Sequence, residues 1–126
     1  MAELIVYVDH STVRPGRRAE LERAIADLAA LVEREEPQIL AYQVYLDPDG
    51  EGLSVMHAHR DPESLARHFA VAGPAFGAFA DLIHMESIDV YGPVPDDVIE
   101  TLRSKAALLG TGLVRAHPRR FGFART

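Results

Sequence analysis

Aliphatic and β-branched residues fill both alternating sets of positions from Leu4 to His10, the pattern of a central strand covered on both faces. After Arg14-Pro15-Gly16 the period changes. Leu21, Ile25, Leu28 and Val32 recur at spacings of four, three and four, with Glu20, Glu22, Arg23, Asp27 and Glu33 elsewhere on the wheel, so an amphipathic helix is predicted to end near Glu36-Pro37. Ile39–Leu46 reads as a second strand. Asp47-Pro48-Asp49-Gly50 is a turn signal leading into a third strand, Leu53–Arg60, and the two strands form a hairpin. Asp61 is the N-cap of a second helix with Pro62 at its first position and Glu63 in its first turn. Gly73-Pro74 is expected to interrupt this helix, with a separate short helix over Pro74–Ala80 carrying Phe76 and Phe79. His84–Tyr91 alternates as a fourth strand.

The order β-α-β-β-α-β is that of the ferredoxin-like split βαβ fold, an α+β arrangement with an antiparallel sheet and both helices on one face. The other face of that sheet is left bare. Because the first strand is apolar on both sides, a second copy of the sheet is the expected cover, and a homodimer follows. Residues 1–93 form the expected domain. Residues 94–126, beyond Gly92-Pro93, are a C-terminal extension with a small helix over Asp96–Leu109 and an edge strand over Gly112–Ala116 that reaches the partner.

Composition narrows the function. The 126 residues are 48% hydrophobic, enough for a real core, and contain no cysteine, which removes disulfides, thiolate metal sites and a cysteine nucleophile. A formal net charge of -6 argues against nucleic acid. The one basic cluster, Arg115, His117, Arg119, Arg120 and Arg125, reads as a solvated or partner-contacting tail. No apolar run has membrane-spanning length, and the opening MAELIVYVDH carries no basic leader, so no membrane association and a cytoplasmic location are expected.

The candidate chemistry gathers at one strand-to-helix junction. His57 and His59 leave the same face of the third strand roughly 6.6 Å apart, and His68 lies on the inward face of the following helix between Leu65, Phe69 and Ala72. Three imidazoles can therefore converge on a partly apolar interior suited to a small molecule. Structural readings stand beside this one: an inward histidine is commonly a hydrogen-bonded core residue, and Phe76 and Phe79 are commonly core. His10 and His84, near neighbouring strand ends, read as structural. The His57-x-His59 pair is also half of a metal site, which His68 or Glu86 would have to complete; two histidines at this spacing are common by chance, and no metal is expected.

The opening strand with Val13-Arg14-Pro15-Gly16 and the long helix after it, and the later Asp61, Glu63, Leu65, His68 and the Phe76 and Phe79 pair, resemble the antibiotic biosynthesis monooxygenase-like proteins of the dimeric α+β barrel superfamily. The resemblance covers about residues 3 to 92. It implies enzymes that oxygenate phenolic or quinol-type aromatics with molecular oxygen and no flavin, haem or metal; the family also holds haem-degrading enzymes, an isomerase and proteins of unknown role. Two features depart from the pattern. His57 and His59 stand where the family often has Glu and an aromatic, and the stretch between His68 and Phe76 is about two residues longer than usual. The chain also lacks the tryptophan that distorts haem in the haem-degrading branch, so haem degradation is not expected.

The resemblance thus implies a cofactor-independent monooxygenase acting on a quinol, anthrone or polyketide-like aromatic and O2. A neutral imidazole facing a phenol works uphill by about 3.5 pKa units, roughly 5 kcal/mol, so a donor must stabilise the oxyanion. His59 or His68 is the expected base, with His57 beside them. Tyr42, Tyr45 or Arg60 is the expected donor, although the two tyrosines lie on opposite faces of their strand and only one can reach a given pocket. Isomerisation or decarboxylation by the same base is the second enzyme reading, and a small-ligand binding or stress-response protein the non-enzyme one.

Overall fold

The computed structural model describes residues 4–125; residues 1–3, within the opening read for a leader, and residue 126 lie outside them. Five strands and three helices follow in the order β1 (Ile5–Val13), α1 (Arg18–Glu35), β2 (Ala41–Leu46), β3 (Gly52–His59), α2 (Pro62–Phe76), β4 (Ile83–Tyr91), α3 (Asp96–Leu109) and β5 (Val114–His117). The sheet runs β2-β3-β1-β4-β5, antiparallel except for the parallel β4/β5 pair. This is the ferredoxin-like α+β fold, with one added strand at the edge.

Alternation along β1 divides the molecule. Ile5, Tyr7, Asp9 and Ser11 are buried under the helices, while Val6, Val8 and His10 reach the opposite face and are half-buried. Leu53, Val55, His57 and His59 of β3 share the helix side, as do Ile83, Met85, Ile88 and Val90 of β4. A bulge makes this possible. Ser11 pairs with Met85 and His10 with Ser87, so Glu86 is the extra residue and the inward set switches from odd to even numbers along β4.

Leu21, Leu28 and Val32 of α1 lock the helix to the sheet, each contributing about 1.5–3 kcal/mol by burial. The Asp47–Gly52 connection closes the β2/β3 hairpin with Asp47 N–H donating to the Gly52 carbonyl at 2.9 Å, and Gly50 supplies the left-handed residue at φ 76°. Asp61 caps α2, its carboxylate accepting from Ser64 N–H at 2.8 Å.

The expected break at Gly73-Pro74 does not occur. Helix α2 continues through Pro74 to Phe76 and tightens into a 3₁₀ turn over Gly77–Phe79. Pro74 denies one donor to the Ala70 carbonyl, but Leu65, His68, Ala72 and Phe76 are buried along one face, and that packing outweighs the loss.

Helix α3 packs Val98, Leu102, Ala106 and Leu109 into the same core, and β5 hydrogen-bonds to β4 of its own chain. Arg115 of the basic cluster is bound to Asp89, while Arg119, Arg120 and Arg125 are exposed. No described helix is long and apolar enough to cross a membrane.

Candidate active site

Register builds the histidine cluster. His57 pairs with Tyr7 of β1 on one side and Tyr42 of β2 on the other, so three rings form a row under the helices. The His57 imidazole stacks on Tyr7 at 3.7 Å and 9°, meets Tyr42 edge-on at 5.0 Å, and holds its Nδ1 3.3 Å from the Tyr7 carbonyl. His68 enters from α2, with ring centroids 5.1 Å from His57 and 5.6 Å from His59. The convergence expected from sequence is therefore present, and all three side chains are essentially sealed from solvent.

Each of these rings has a defined partner. His59 Nδ1 is 2.7 Å from Ser64 Oγ, and His68 Nδ1 lies 3.0 and 2.9 Å from the two Glu36 carboxylate oxygens. Their Nε2 atoms have no partner. Burial pushes His59 down to about 4 and His68 down to about 3, and His57 well below its ordinary value, with the Lys105 charge adding to the effect at His57 and His68. These imidazoles are neutral near pH 7. Burial acts oppositely on Glu36, raising it to about 7 against the hydrogen bond from Gln38.

The cavity lies beside this cluster, not inside it. About 30 Å³ in volume, room for about two waters, it is walled by Tyr42, Phe76, Phe79 and Met85 and has one ionic side, Asp9 and Lys105. Lys105 Nζ donates to Asp9 Oδ2 at 2.9 Å and sits 4.3 Å from the Phe76 ring centre and 5.2 Å from that of Tyr7. Asp9 and Lys105 side chains are 5% and 6% exposed, and Asp9 Oδ1 is without a partner. Burial raises the Asp9 carboxyl, opposed by Lys105.

Of the residues singled out from sequence, Tyr42, Phe76 and Phe79 line the cavity and the three histidines stand behind Tyr7 and Tyr42. Tyr45 is exposed on the other sheet face, its hydroxyl donating to Gln43 Oε1, and Arg60 is exposed beyond the end of β3. Glu86 occupies the β4 bulge and accepts from Thr12 Oγ1, away from the histidines. Among the described residues no group of three or more His, Asp or Glu side chains is placed to hold a metal ion. Sequence reading missed Asp9, Lys105, Tyr7 and Glu36. A lysine within the apolar stripe Val98, Leu102, Ala106 and Leu109, and an aspartate on the inward set of a central strand, were the signals available.

The antibiotic biosynthesis monooxygenase family model matches residues 5–82, and the chain belongs to this family. No curated protein matches it by sequence. Solved structures share the fold. MupZ from Pseudomonas fluorescens is 15% identical with a TM-score of 0.77, over 99% of this chain and 91% of its own. SnoaB, a cofactor-independent oxygenase from Streptomyces nogalater, is 23% identical with a TM-score of 0.62, over 75% of this chain and 96% of its own. A putative antibiotic biosynthesis monooxygenase from Chloroflexus aurantiacus J-10-fl is 20% identical with a TM-score of 0.59, over 73% and 94%. The family match ends at 82, before β4 and α3, whereas the likeness to MupZ extends over nearly the whole chain, α3 included.

Proposed function

We propose that the protein is a cofactor-independent monooxygenase that oxidises a small aromatic substrate of the quinol, anthrone or polyketide-like kind with molecular oxygen, as a cytoplasmic homodimer. The observation that carries this reading is an apolar cavity walled by Tyr42, Phe76 and Phe79 and polar on one side only, in a chain of this family. SnoaB, of similar fold, is described as a cofactor-independent oxygenase. With an anthrone the reaction balances as one CH2 group and one O2 giving one C=O group and one water. An aromatic ring is larger than the present space, so binding requires the wall formed by Phe76, at the end of α2, and Phe79, in the 3₁₀ turn after it, to move.

The dimer would bury the open sheet face. Val6 and Val8 are half-buried there, and Tyr45 and Tyr91 are exposed. A monomer in sedimentation at micromolar concentration removes that part of the reading.

Oxygen uptake by the chelator-treated full chain against hydroquinones, anthrones and naphthols tests the activity. Enzyme-dependent uptake with one O2 consumed per product is expected; none above background across the panel discards the oxygenase. Isomerisation or decarboxylation is the second reading, favoured by the Asp9 and Lys105 pair, because a group that removes a proton need not hand the resulting carbanion to oxygen.

A further inference from the structure

We propose that Asp9 and Lys105 are a proton-transfer pair: Asp9 Oδ1 takes the acidic hydrogen of the substrate, and Lys105 moves its ion pair from Asp9 Oδ2 to the oxyanion that forms. Helix α3, outside the matched family segment, thereby becomes part of the active site. The proposal rests on the reading of the cavity as a substrate site but not on the use of oxygen.

Three observations meet here. Both side chains line the cavity and are almost wholly buried. One carboxylate oxygen is engaged by Lys105 at 2.9 Å while the other has no hydrogen-bond partner, a costly state for a buried acceptor and the state a general base needs. The ammonium is held over the faces of Phe76 and Tyr7, so it is fixed beside the aromatic wall.

Charge count explains why such a pair suits an apolar cavity. Before transfer the site holds one carboxylate, one ammonium and a neutral substrate. After transfer it holds a neutral carboxylic acid, the same ammonium and a substrate anion. The O–H or C–H bond of the substrate breaks, its electron pair stays on the substrate as phenolate or enolate, and the proton forms a bond to Oδ1. The number of charged groups is unchanged, so no additional ion has to be held in a medium that would penalise it. Transfer to one of the three neutral imidazoles would instead turn two neutral groups into two ions, and at His57 and His68 the new cation would face the Lys105 charge. The substrate class is thus a small aromatic phenol, quinol or anthrone, or an enolisable 1,3-dicarbonyl, with one acidic hydrogen.

Anthrone in deuterated buffer under argon separates the proton step from oxygenation, because loss of the C10 hydrogen signal by NMR reads abstraction alone. The full chain is expected to accelerate this exchange, and folded Asp9→Asn and Lys105→Met each to lower it by about 10²-fold or more. Asp9→Asn/Lys105→Met, which leaves no unpaired charge, is expected to be no slower than the worse single variant, as for groups acting as a unit; it also serves where a single variant does not fold. Wild-type rates in folded Lys105→Met or in the double variant overturn the proposal, as does no acceleration by the wild type. Oxygen uptake without anaerobic exchange overturns it while the oxygenase stands; exchange without uptake sustains it while the oxygenase falls.

Discussion

Lys105 Nζ and Asp9 Oδ2 stand 2.9 Å apart although 96 positions separate the residues, and this contact joins α3 to the central strand. A buried pair is weak evidence of stability in itself, because desolvation offsets much of its attraction, but breaking it strands one charge. Lys105→Met is therefore expected to cost about 3–5 kcal/mol. Asp9→Asn/Lys105→Met should recover most of that loss, and urea denaturation of the four proteins in a double-mutant cycle measures the difference.

Gly110 places that lysine. It ends α3 and bridges to Met85 of β4, where an added Cβ would meet the Met85 carbonyl oxygen at 2.0 Å and its amide nitrogen at 2.6 Å. Neither is a flexible side-chain end, so the helix terminus must shift. Gly110→Ala is expected to destabilise the protein by about 1–3 kcal/mol, in the range of overpacked sites, and to reduce turnover in its folded fraction. Urea denaturation together with oxygen uptake per folded chain tests both parts.

The fold was legible where one period dominated. The four-three-four spacing of Leu21, Ile25, Leu28 and Val32 placed α1 to within a residue of its observed end, and Asp61-Pro62 placed the start of α2. Pro74 misled because local chemistry marks it as a breaker, whereas the buried face containing Ala72 and Phe76 is a tertiary fact. The histidine cluster was legible because His57, His59 and His68 lie within one strand and helix. The ionic side of the cavity was not: Asp9 and Lys105 carry meaning only as a pair, and their proximity depends on how α3 crosses the sheet.

Acid should weaken the protein through its buried imidazoles. An unfolded histidine takes a proton near pH 6.5, but folded His59 and His68 resist until about 4 and about 3. The unfolded chain therefore binds more protons as pH falls below 6.5, and stability falls with it. For His59 alone the full window is about 3 kcal/mol. Glu36 acts in the opposite sense: raised to about 7, it contributes stability that is present below its unfolded value near 4.5 and lost as pH rises to 7. Three imidazoles, His57 included, oppose two raised carboxyls, Glu36 and Asp9, so a lower urea midpoint at pH 5.5 than at pH 7 is expected. His59→Asn should flatten the slope by about one proton.

On the open face of the sheet, Asp89 does for β5 what Asp9 does for α3. Its carboxylate accepts from Arg115 Nε at 2.8 Å and Nη2 at 3.0 Å, a forked contact across the β4/β5 register, and from His117 Nε2 at 3.0 Å, with His10 Nε2 3.4 Å away. Chiefly the Arg115 contact holds this carboxyl well below the usual carboxylate range. A four-residue edge strand has few other anchors: it is mostly exposed, and its flanking hydrogen bonds run from Ile88 N–H to the Leu113 carbonyl and from Gly92 N–H to the His117 carbonyl. Asp89→Asn keeps the shape and one acceptor oxygen but removes the charge and replaces the second oxygen with a donor, so the forked contact to Arg115 is broken and the bonds from Arg115 and His117 are weakened. Amide exchange at Ile88 and Gly92 is expected to quicken, while the amides pairing β1 with β3 keep their protection. If all of these amides quicken together, Asp89 stabilises the whole sheet instead of its edge; if none do, backbone pairing alone holds β5.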